Sequence, residues 1–219
     1  MKIKGIIFDC DGVLLDSEVI FCKCVINFLG KYNIQKNVED VQFLIGQTNA
    51  KIEEDIKDCF LGNYECTKQD IQRELNEQYD KYYSIENLIP FDGLQNFVNY
   101  CYERGLKIII ASSAEKAYID KVTKHFMIDE KLFAVISGND VSNGKPDPEI
   151  YNKAINISGF SKKDLIVIED SVNGIKAAKA ANLFTIGFKG SKILQDTKNA
   201  DIEFNNYEEI LKWMNLMEE

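Results

Sequence analysis

Five short apolar runs, each separated from the next by a helical pattern, constrain this chain more than any other feature. They cover residues 3–8, 106–111, 132–137, 165–168 and 184–187 and include many β-branched side chains. A strand that is apolar at successive positions must be covered on both faces, which is the habit of parallel sheets flanked by helices. Between the runs, Leu94, Phe97, Val98 and Cys101 form a stripe that stops at Gly105, and Ile175, Ala178 and Ala181 belong to another. Strand–helix alternation implies right-handed crossovers and a doubly wound α/β sheet.

One interval breaks the rhythm. From residue 17 to about 84 no strand is readable, and helical periodicity runs through 19–32, 38–45, 50–60 and 67–83. The sequence predicts an all-helical domain, residues 17–85, inserted after the first strand of a core made of 1–16 and 86–219. Ile89-Pro90-Phe91-Asp92-Gly93 marks the return to the sheet.

Charge and cysteine usage narrow the partners. With 35 acidic against 26 basic residues the net charge is −9, so neither a nucleic-acid backbone nor an anionic membrane is an expected partner. No stretch is apolar and long enough to span a bilayer, and no cationic segment with an apolar secretory core opens the chain. The cysteines (10, 22, 24, 59, 66 and 101) are irregularly spaced, which fits reduced thiols and a cytoplasmic protein better than a disulfide scaffold. Cys22 and Cys24, one residue apart on a predicted helix, point to different faces. His125 is the only histidine, expected on a helix surface, so a zinc site is not expected either.

The chemistry sits where strands end. In open α/β sheets, ligands collect beyond the carboxyl ends of the strands. The first run is followed by Asp9-Cys10-Asp11-Gly12, two carboxylates that read either as a solvated turn or as a site for a hard cation or an acid/base pair. The second is followed by Ser112-Ser113, either a helix cap or hydroxyl and N–H groups for phosphate oxygens. Gly138 to Pro148 superficially resembles a nucleotide-binding Gly-rich loop, but Pro146 stands where a metal-binding Ser or Thr is needed. What survives is Lys145, a point charge for phosphate or carboxylate. The fourth run leads into Glu169-Asp170-Ser171. If the first and fourth strands are neighbours, Asp9, Asp11 and Asp170 converge on an oxygen-rich point that selects Mg²⁺.

These four segments, in this order, resemble the motifs of the haloacid dehalogenase superfamily, and the similarity runs essentially end to end. Within it the chain is similar to the β-phosphoglucomutase-like sugar phosphatases, and DCDGVLLDSEVI to their 6-phosphogluconate phosphatases. The resemblance implies a Rossmann-like core with a class I helical cap. It further implies Asp9 as nucleophile, Asp11 as general acid and base, and Ser112, Ser113 and Lys145 as phosphate-binding residues. Mg²⁺ is implied at Asp9, Asp11 and Asp170, with Glu169 in support. Asp11 argues against haloacid dehalogenation, since dehalogenases lack an acid there.

Gly46, Gln47 and Thr48 match the family's cap substrate loop, or equally a helix end followed by a new cap. The mutases' cap histidine and arginine are matched here by Phe21 and Asn49. The expectation is a monomeric Mg²⁺-dependent phosphatase of small phosphorylated metabolites. A phosphomutase is the alternative, and a non-catalytic ligand-binding descendant the third reading.

Overall fold

The computed structural model describes every residue except 1, 46–48, 83, 85, 86, 194 and 219. The chain divides into two compact units, one built from 1–16 and 89–219 and the other from 17–88.

In the first unit, strands β1 (Gly5–Phe8), β2 (Lys107–Ala111), β3 (Ala134–Ile136), β4 (Leu165–Glu169), β5 (Phe184–Phe188) and β6 (Ile202–Phe204) form one sheet in the order β3-β2-β1-β4-β5-β6. Every neighbouring pair is parallel. The order reverses around β1, which pairs with β2 on one side and β4 on the other, Ile7 lying level with both Ile109 and Val167. That reversal opens a crevice beyond the strand ends, where the acidic turn begins.

The continuous apolar runs have the cause the sequence suggests. Successive side chains of β1 point to opposite faces, and both are covered. Ile7, Ile109, Leu165 and Val167 pack with Ile150, Tyr151 and Ala154 of α7 (Glu149–Ser158) and Ala177 and Ala178 of α8 (Val172–Ala180). On the other face Phe8 meets Phe97 of α5 (Leu94–Glu103) edge-on at 5.9 Å, and Tyr207 of α9 (Tyr207–Glu218) lies at 6.5 Å. Fully burying a side chain such as Phe8 contributes about 2–3 kcal/mol. Alternation with polar residues would forfeit that on one face. The remaining helix of this unit is α6 (Lys116–His125), whose C-terminal His125 is exposed.

The regular elements among the second unit's described residues are all helical: α1 (Ser17–Gly30), α2 (Val38–Val41) with a 3-10 turn Gln42–Leu44, α3 (Asn49–Ile56), which runs on as a π-helical segment Lys57–Leu61, and α4 (Lys68–Tyr82). Cys22 and Cys24 do lie on different sides of α1, yet both are buried, because α1 packs on α2 as well as on α4. All six cysteines are free thiols. Among the described residues no helix is long and apolar enough to cross a membrane.

β6 carries no readable sequence signal. Its three residues are only half-buried or exposed at an edge, so neither a continuous apolar run nor a long alternation announces them.

Candidate active site

The turn after β1 is built by its own backbone. Leu14 N–H donates to the Cys10 carbonyl at 2.7 Å and Gly12 N–H to the Leu15 carbonyl at 2.9 Å. Tyr207, fully buried, donates its hydroxyl to the Val13 carbonyl at 2.7 Å and ties the turn to α9. Gly12 has φ +72°, and a Cβ there would overlap the Asp170 carboxylate. Only glycine satisfies both the backbone and the neighbour.

Because β4 lies beside β1, Asp9, Glu169 and Asp170 come together. All three are buried, and one carboxylate oxygen from each lies within 4.8 Å of the others. Lys145 enters this cluster with its Nζ 2.7 Å from Asp9 Oδ1 and 2.6 Å from Glu169 Oε1. Glu169 is locked further: Oε1 accepts from the Tyr151 hydroxyl at 2.9 Å, and Oε2 accepts from Ser171 N–H and Oγ–H at 3.0 Å each. A Cβ on Gly174 would collide with this carboxylate.

Glu169 therefore spends both oxygens on protein donors, while Asp9 and Asp170 reach the cluster on loops just past their strands. Asp11 lies outside the cluster, and its Oδ1 accepts from the Tyr118 hydroxyl at 3.1 Å. Ser112, buried at the end of β2, accepts from Ala114 N–H at 3.2 Å, and its own hydroxyl hydrogen remains to be given. Ser113 is exposed beside it.

The electrostatics are those of a site short of positive charge. Burial pushes the Asp9 carboxyl up to about 7; Lys145 pulls against that, while Glu169 and Asp11 reinforce it. For Lys145, burial opposes the charge, yet Asp9 and Glu169 hold the ammonium well above its ordinary value. One lysine cannot offset the surrounding carboxylates, and hard oxygen donors with excess negative charge fit a small divalent cation. Cys10, between the two aspartates in sequence, is not a candidate nucleophile: burial and the flanking carboxylates push its thiol well up, away from the thiolate.

The loop Gly46, Gln47 and Thr48 lies outside the described residues. Phe21 stacks on Tyr79 with ring centroids 6.4 Å apart, and Arg73 pairs with Asp70 at 2.9 Å. Tyr118, Tyr151 and Tyr207 carry no local sequence signal of their contacts. A tyrosine at helical spacing looks like any core residue, and each partner lies far away along the chain.

Replacing a buried ion pair by apolar residues is often neutral or stabilising, so a cluster of carboxylates around one lysine is a candidate working centre. The chain belongs to the haloacid dehalogenase-like hydrolases, whose family model matches residues 6–188. It is 32% identical over 197 residues to the protein SUPPRESSOR OF QUENCHING 1, chloroplastic, of Arabidopsis thaliana, covering 86% of this chain but only 18% of that protein. The β-phosphoglucomutase of Bacillus subtilis is 28% identical, with 84% of this chain and 82% of the mutase covered. A Thermotoga maritima crystal structure provisionally assigned as a β-phosphoglucomutase superposes with a TM-score of 0.82 at 22% identity, over 98% of this chain and 99% of that one. Further curated relatives are phosphatases by name. The chain is a phosphatase-class enzyme of this family.

Proposed function

We propose that the protein is a Mg²⁺-dependent phosphatase of small sugar phosphates, acting through an aspartyl-phosphate on Asp9. The observation that carries this reading is the buried Asp9–Lys145 ion pair inside the Asp9, Glu169, Asp170 cluster. A carboxylate repels a phosphate dianion, so it serves as nucleophile only where positive charge and alignment are supplied in advance.

Asp9 attacks phosphorus as the bond to the sugar oxygen breaks, and Asp11 gives that oxygen its proton. Asp11 then takes a proton from water, whose oxygen attacks phosphorus and frees Asp9 and inorganic phosphate. Lys145 balances charge on Asp9 and on the phosphoryl oxygens, and Ser112 with the Ser113 N–H donates to those oxygens. Glu169, held by Lys145, Tyr151 and Ser171, orients the lysine. The Asp9 and Asp170 carboxylates and the Asp11 main-chain carbonyl would hold Mg²⁺, which would supply charge to offset carboxylate–phosphate repulsion. The helical unit is read as the family's cap and selector of substrate, with Gly46, Gln47 and Thr48 as its sequence match to the substrate motif. The free thiols suit a reducing compartment such as the cytoplasm.

Two measurements test this. Phosphate release across a panel of sugar phosphates should require added Mg²⁺, vanish with EDTA, and be inhibited by Ca²⁺, whose larger and looser shell misaligns the attack. Activity that survives thorough chelation contradicts the metal assignment.

The second separates hydrolysis from mutase chemistry. A mutase grips a second dianion and protects its aspartyl-phosphate from water, tasks for which arginine and histidine are suited. Here Asn49 stands where the mutases have arginine, and Phe21, stacked on Tyr79, has no proton to exchange. Phosphate release should greatly exceed formation of glucose 6-phosphate from β-glucose 1-phosphate, and β-glucose 1,6-bisphosphate should not activate. Faster isomerisation than release, in a coupled assay run beside phosphate detection, would make the mutase reading the answer.

A further inference from the structure

We propose that Tyr118 is a positioning residue that holds the Asp11 carboxyl for proton transfer, a role that rests on the phosphatase reading above. Its hydroxyl donates to Asp11 Oδ1 at 3.1 Å across 107 residues of chain. Both ends of this contact stand on rigid supports. Tyr118 lies in the first turn of α6, its N–H bonded to the Glu115 carbonyl at 3.0 Å, and the next turn is anchored by buried Ile119, Val122 and Thr123. Asp11 lies on the turn fixed by the Leu14–Cys10 and Gly12–Leu15 hydrogen bonds and by Tyr207. With the backbone settled, the Asp11 side-chain torsions decide where its proton is delivered.

A phenol hydroxyl keeps its hydrogen far above neutral pH, so it acts here as a donor. A donor at Oδ1 restricts both torsions and leaves Oδ2 as the oxygen that exchanges a proton with the substrate. Misplacing a proton donor slows the reaction far more than it weakens binding.

The test exploits the leaving group. A sugar alkoxide needs a proton as it departs, whereas p-nitrophenolate leaves without one. Wild type, Tyr118→Phe, Asp11→Asn and the double variant are assayed with Mg²⁺ on p-nitrophenyl phosphate and on the fastest member of a panel of primary sugar phosphates. Tyr118→Phe should lower kcat on the sugar phosphate about 10-fold or more, with KM little changed, and lower p-nitrophenyl phosphate release by less than about 2-fold. The double variant should be no slower on the sugar phosphate than Asp11→Asn alone. If Tyr118→Phe slows both substrates alike, or neither, or adds its full effect to Asp11→Asn, Tyr118 does not act through Asp11 and the proposal falls. Wild type that frees phosphate from p-nitrophenyl phosphate but from no sugar phosphate would remove the sugar-phosphate reading and the role of Tyr118 with it, and wild type inactive on both would remove the phosphatase reading itself.

Discussion

Asp9→Asn should lose turnover by at least ~10⁴-fold while the protein stays folded. The amide matches the carboxylate in shape but cannot attack phosphorus, so no phosphoryl group is carried on residue 9. Acid-quenched wild type, caught during turnover, should carry one phosphoryl mass on the peptide containing Asp9, and the variant none. Stability should move the other way. Burial pushes the Asp9 carboxyl up to about 7 from 3.8, so at pH 8 the metal-free fold bears an ionised carboxylate it would hold more easily protonated. The uncharged amide removes that cost, and metal-free Asp9→Asn should melt at or above the wild-type temperature at pH 8. A variant that kept a tenth of the wild-type rate would end the covalent mechanism.

Lys145→Met should damage both fold and activity. Its Nζ is the shared cation of Asp9 and Glu169, and its side chain is only 7% exposed. Removing one partner of a buried charge network leaves the others uncompensated, at a cost of about 3–5 kcal/mol. In a protein of this size that corresponds to a melting temperature lower by on the order of 10 °C. Activity should fall at least ~10²-fold, the scale for losing one preorganised charge donor.

The pH dependence has a definite sign. Lys145 lowers the Asp9 pKa, so without it that pKa rises beyond about 7. A carboxyl with its pKa raised in the folded state loses stability as pH climbs from its unfolded value toward its folded one. In EDTA, the melting-temperature gap between wild type and Lys145→Met should therefore widen from pH 6 to pH 9. A gap that is constant or narrows would show that the lysine does not neutralise Asp9.

Much of this protein could be read from local pattern. The apolar runs at 3–8 and 165–168 become the paired strands β1 and β4, since a strand covered on both faces has to be apolar throughout. The end of α5 was legible because Gly105, at φ +70°, closes it with a conformation that favours glycine. The acidic residues stood out because charge at a strand end is locally anomalous, and Lys145 as the lysine fixed before a proline in a Gly-marked loop; the sheet order brings Asp9, Glu169 and Asp170 together.

What sequence could not supply is every relation set by distant packing. Short, half-exposed β6 carries too few residues for a periodicity to show. Both cysteines of α1 are buried because two helices cover it, which its own spacing cannot reveal. Tyr207 on Val13, Tyr151 on Glu169 and Tyr118 on Asp11 are contacts across 194, 18 and 107 residues. By itself, then, the sequence determined the strand–helix alternation and which side chains could do chemistry, because periodicity and turn preference act within a few residues. Only the tertiary structure decided which tyrosine meets which carboxylate and how far burial shifts Asp9, because hydrogen bonds and desolvation depend on neighbours that the chain brings close only by folding.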